Sequence, residues 1–160
     1  MPHFKRILIC LLVILVALFC QLKLKDSVGQ TADIVLAALV TFAFFVSLEE
    51  LILFDLFAAW LLNWGAPAGV ESLVLLALPI AIFFFARLLP WQAWVTDLAA
   101  VGAAIILFYI ISDFPALAKN IPIISVSLVL ALVWSACLFY LFRYICGYKP
   151  RSGTSSSFSI

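Results

Sequence analysis

Asp55 is the residue of this sequence best placed to do chemistry, because it interrupts an apolar run, Leu53-Phe54-Asp55-Leu56-Phe57, where a charge is costly. An uncompensated charge at the centre of a membrane helix costs on the order of 2.5–3.5 kcal/mol even on a lenient insertion scale, so Asp55 must face protein or water. A bond to Arg87, Asn63 or a hydroxyl would make it architectural, and a transport or catalytic role is the sharper reading. Glu49 and Glu50 lie at a predicted turn, where solvation is cheap. Glu50 is also five residues from Asp55, about 140° round a helix, so the two do not make a paired-carboxylate site. Asp33 and Asp97 each open an apolar run, which predicts helix capping and a favourable position at the positive end of the helix dipole.

Four cysteines, at 10, 20, 137 and 146, contain no Cys-x-x-Cys, and His3 is the only imidazole, so neither a metal nor a redox site is expected. Hydrolysis needs a nucleophile with a base, a carboxylate pair or a liganded metal. None is assembled by spacing, Asp55 and Asp113 included, and the size of a membrane aspartyl lipoprotein signal peptidase comes here without an Asn-x-x-Asp-like pair. No enzyme activity and no cofactor are predicted. A formal net charge of +1 gives no reason to expect nucleic acid or another polyanion as partner.

The elements that carry these residues are membrane helices. Charged residues make up 11% of the chain and apolar residues 68%, and the charges fall mostly between long apolar runs. This predicts an all-α, polytopic helical membrane bundle occupying residues 1–147, with helices over 6–22, 33–47, 48–64, 72–89, 94–112 and 121–146. The remainder, 148–160, is rich in Ser, Gly, Lys and Arg and reads as a short disordered tail. The first run follows Lys5 and Arg6 as a signal peptide would, but bulky Phe19 stands before Cys20 where a peptidase needs small residues, so a retained helix is expected.

Residues 33–64 decide the number of spans. As one helix they would run about 46–48 Å against a hydrocarbon core of roughly 30 Å, whereas a break at Ser47-Leu48-Glu49-Glu50 gives two of about 24 Å. Six spans with the N-terminus inside place Lys5, Arg6, Arg87, Arg143, Lys149 and Arg151 in the cytoplasm and Lys23, Lys25 and Lys119 outside. Five spans with the N-terminus outside give the same six-to-three split, so charge leaves five possible and length favours six.

Ala99, Ala103 and Ala100, Ala104 form interleaved small-xxx-small pairs around Gly102, the pattern by which lipid-embedded helices approach closely. The helix carrying them is expected at the bundle centre or at a partner interface. Pro79 predicts a kink, and Trp60, Trp64, Trp91, Trp94, Tyr144 and Tyr148 read as interfacial anchors.

The order of segments over residues 30–111 resembles the rod-shape-determining membrane protein MreD family of bacterial wall elongation. The likeness lies in an Asp-opened helix, TADIVLAALVTFAFF, a tight turn, and ILFDLFAAWLLNWGAPAGVESLVLLAL. Asp33, Asp55, Phe57, Gly69 and Leu73 are the positions that look alike. Ala32 stands where the family usually has proline, and Glu49-Glu50 occupies a region usually richer in glycine. The resemblance implies six spans in the bacterial cytoplasmic (inner) membrane with both termini cytoplasmic. It also implies a non-enzymatic role: a scaffold for a partner such as MreC and for wall-synthesis enzymes, surrounded by membrane lipids. Asp55 would then be a buried hydrogen-bond centre, and residues 63–71 an outer loop open to a single-span partner.

The rival reading is a small-solute carrier similar to the substrate-binding subunit of an energy-coupling-factor transporter. Those subunits carry an Ala-x-x-x-Ala pair on the first helix, where this chain has only Ala17. Asp55, Asn63, Ser125 and Ser127 are the polar residues such a cavity would draw on.

Overall fold

The computed structural model describes residues 3–28, 33–62, 69–86, 92–112 and 121–146. They form six helices and no strand: α1 (His3–Val28), α2 (Ile34–Phe42), α3 (Leu48–Leu62), α4 (Val70–Phe85), α5 (Ala93–Ser112) and α6 (Ile121–Cys146). Three stretches are long and apolar enough to cross a bilayer: Lys5–Leu24, Ala93–Ile111 and Ile124–Ile145. The chain is therefore a helical membrane protein. A shorter apolar stretch, Ser72–Phe85, belongs to α4 and contains Pro79.

The long helices are apolar on both sides. In α1, Cys10, Val13, Ile14 and Ala17 are buried in the bundle, while Leu8, Leu12, Leu15, Phe19 and Leu22 are exposed along the opposite face. Each set recurs at three- and four-residue steps, the period of one helical face. Leucine on an outer face would be a liability in water; against acyl chains it is the expected surface.

The centre of the bundle is α2. All nine of its residues are buried, and it packs against each of the other five helices. A helix that is apolar all round, with Ala37 and Ala38 allowing close approach, has to be enclosed on every side. Of the two places the sequence allows for α5, the centre of the bundle is taken by α2; α5 lies beside it, packed on α2, α4 and α6.

Regular α-helix ends at Phe42, short of Ser47 where the apolar run ends. The backbone tightens into three-residue bonds, Phe44 N–H to Thr41 O at 3.1 Å and Phe45 N–H to Phe42 O at 2.9 Å. A reciprocal cap then starts α3: Ser47 N–H donates to Glu50 Oε2 at 3.0 Å and Glu50 N–H to Ser47 Oγ at 3.4 Å. Rings close this end of the bundle. Phe42 meets Phe54 of α3 and Phe142 of α6 with centroids 5.9 and 5.3 Å apart, and Phe45 meets Phe139 at 5.1 Å.

Candidate functional site

The buried polar groups gather around α2. Thr41 sits one residue before its end, Asp97 in the first turns of α5, and Ser135 midway along α6; each is buried to 2% exposure or less. Ser135 Oγ lies 2.7 Å from Asp97 Oδ2 and 3.1 Å from Thr41 Oγ1. Thr41 Oγ1 is in turn 2.9 Å from the Ala37 carbonyl oxygen, one turn back in its own helix. Three helices are thus joined through four oxygens. The second oxygen of Asp97, Oδ1, is buried and has no hydrogen-bond partner among the described residues.

This changes the reading of Asp97. The residue is inside α5, four positions after Ala93, and its carboxyl meets another helix where a cap would meet its own backbone. Asp33 does occupy the cap position of α2, and its carbonyl accepts the Ala37 N–H at 3.0 Å, but its side chain makes no cap bond. The orphan Val35 N–H is taken by Gln21 Oε1 of α1 at 3.2 Å.

Asp55 is fully buried on the face of α3 that also carries Leu51, Phe54 and Ala58. Neither carboxyl oxygen has a hydrogen-bond partner among the described residues. Its expected partners Arg87 and Asn63 lie outside the described residues, as does Asp113. Ser125 and Ser127 diverge: Ser125 is exposed and bonded to its own helix at Ile121 O, 2.8 Å away, while Ser127 is buried. They do not line one cavity.

The small residues of α5 divide between two faces. Ala104 is buried and Ala100 packs on the core, whereas Ala99 and Ala103 are exposed. Gly102 is half-buried, and a Cβ there would meet nothing within 4 Å. At the end of the bundle marked by the Ser47 cap, Arg6 of α1 forms an ion pair with Glu50, so Glu50 is held by protein and only Glu49 is open to solvent.

No three His, Cys, Asp or Glu side chains among the described residues converge as metal ligands would. Thr41 and Ser135 are the site residues that sequence reasoning missed. Their signal was present as single hydroxyls in the middle of the runs Ile34–Phe42 and Ile121–Cys146, but nothing in their spacing pairs them. No known family, curated protein or solved structure matches this chain.

Proposed function

We propose that this protein is a non-enzymatic scaffold of the bacterial cytoplasmic membrane, resembling MreD, that assembles an MreC-like single-span partner and wall-synthesis enzymes into a cell-wall elongation complex. In this reading it crosses the bilayer six times with both termini in the cytoplasm. One observation carries it. Of the segments on which the resemblance rests, the Asp33-opened helix, the turn and the helix bearing Asp55 are α2, the 43–47 break and α3, and α2 is the helix on which every other helix packs.

The path of the chain supports six crossings. Val35 is bonded to Gln21 and Glu50 to Arg6, so the segment between Val35 and Glu50 travels back along α1 from its residue 21 to its residue 6. That length of α1 is about 22 Å at 1.5 Å per residue, most of a hydrocarbon core. The nine helical residues of α2 cover only about 14 Å of it, and the non-helical backbone beyond is tolerable at membrane depth because protein surrounds it. Ring contacts from Phe42 and Phe45 to Phe142 bring Arg143 to the same end as Lys5 and Arg6, a clustering of cations that favours a cytoplasmic face.

The test is depletion of the chain in the cell that makes it. Rods should round up and recover their shape when the wild-type chain is restored. Unchanged shape and unchanged wall incorporation after depletion would contradict the proposal.

A further inference from the structure

We infer that the last two turns of α6 bind the headgroup of an anionic phospholipid, with the Arg143 guanidinium on its phosphate, Tyr144 beside it and an acyl chain laid along the helix below. The argument begins with a charge that the protein leaves unmatched. Arg143 is exposed, and no carboxylate among the described residues pairs with it. The sequence of α6 contains no acidic residue. Of the helices packed on it, α2 brings no carboxylate, and α5 brings Asp97, which is buried against Ser135, about 12 Å short of Arg143 along the helix. Arg6, at the same end of the bundle, is matched by Glu50.

The residues around Arg143 suit a phosphate. A guanidinium presents a planar fork of N–H donors that fits two phosphate oxygens at once, and a phenol supplies a further donor. Tyr144 follows Arg143 in the chain and Tyr140 lies one turn before it; they are 89% and 59% exposed, on the side of α6 opposite buried Phe142.

What lies below selects a lipid over a free phosphate. Val129 and Val133, each 57% exposed, and exposed Cys137 continue the outward row of Tyr140 and Tyr144 at three- and four-residue steps. From Arg143 back to Val133 the helix rises about 15 Å, half of a hydrocarbon core of roughly 30 Å and so the depth of one leaflet. A free phosphate would use the guanidinium and leave this row unused, whereas a phospholipid covers both. The lipid is anionic because a zwitterionic headgroup carries its own ammonium and gains little from an unmatched cation, while a net negative one gains the full attraction.

The experiment is native mass spectrometry of the detergent-solubilised protein offered equal amounts of phosphatidylglycerol and phosphatidylcholine with the same acyl chains. Wild type should retain phosphatidylglycerol in preference by at least about fivefold, the effect of one cation at an anionic surface. Arg143→Gln should lose the preference, and Arg143→Lys, which keeps the charge without the fork, should keep part of it. Lys5→Gln removes the same charge from exposed Lys5 of α1 and should retain lipid as wild type does, which separates a local site from net charge. Each substitution alters an exposed side chain, so the variants should fold. Equal retention of the two lipids by wild type, or equal losses in Arg143→Gln and Lys5→Gln, would overturn the inference. So would a lipid-free dimer that Arg143→Gln converts to monomer, which would give this face to a second copy of the chain. The outcome is independent of whether the protein serves wall elongation.

Discussion

Glu50 holds Arg6 with one carboxylate oxygen while the other accepts the Ser47 N–H, so a single side chain both starts α3 and fixes the N-terminal end of α1 beside it. The side chains are 21% and 14% exposed for Arg6 and Glu50, which places the pair between a solvent-screened surface bridge and a buried one.

Glutamine at position 50 can keep both halves of the reciprocal cap but not the ion pair, whereas alanine loses the ion pair and the side-chain half of the cap, keeping only its backbone N–H bond to Ser47 Oγ. Glu50→Ala should therefore be less stable than Glu50→Gln by about 1 kcal/mol, the usual worth of a cap. Denaturation of the detergent-solubilised variants measures the difference. Equal stability would mean that the bond from Ser47 N–H to the side chain of residue 50 contributes nothing to α3.

The ring cluster gives a second prediction. Phe42→Ala removes contacts to Phe54 and Phe142, each worth roughly 0.5–1.5 kcal/mol beyond buried area, and opens the centre of the bundle. Leu12→Ala alters an exposed face of α1 and should change unfolding by only a few tenths of a kcal/mol, within the ordinary range for surface substitutions. A matched loss for both would show that Leu12 faces protein.

On α5 the two small-residue pairs should respond differently to bulk. Ala104→Leu overfills a fully buried position and should cost about 1–3 kcal/mol, while Ala103→Leu, on the exposed face, should be tolerated by the isolated chain. The same unfolding assay ranks them, and loss of stability in Ala103→Leu alone would reverse the assignment of faces.

Asp55 tests assembly apart from folding. No described residue bonds its carboxyl, so Asp55→Leu should not by itself unfold the bundle, and Asp55→Asn should behave as wild type. Under the scaffold reading, Asp55→Leu accumulates yet recovers less partner than Asp55→Asn in quantitative co-purification. Equal recovery with both would remove Asp55 from the assembly.

How much of this was legible in the sequence depended on local chemistry. The start of α3 could be read because Ser47-Leu48-Glu49-Glu50 interrupts an apolar run too long for one span, whereas the cap that Ser47 and Glu50 form there is visible only in the structure. The end of α2 could not, since residues 43–46 continue the apolar run with no Gly, Pro or charge to mark Phe42 as the last helical residue. Nor could its central position be read, because a membrane helix apolar on all sides has the same composition whether lipid or protein surrounds it. Asp55 stood out as a charge in an apolar run. Asp97 looked like a cap because it falls near the start of one, and the contact that decides its role comes from Ser135, 38 residues away. Thr41 meets Ser135 across 94 residues, and a lone hydroxyl in a helix ordinarily bonds back to its own backbone, as Ser125 does.

The scaffold proposal is tested most directly by affinity purification of the tagged chain from native membranes in mild detergent, with mass spectrometry of the proteins that accompany it. The account predicts recovery of an MreC-like single-span protein together with wall-synthesis enzymes. Recovery of a paired-ATPase module in their place would contradict it and make the chain a subunit of a solute transporter.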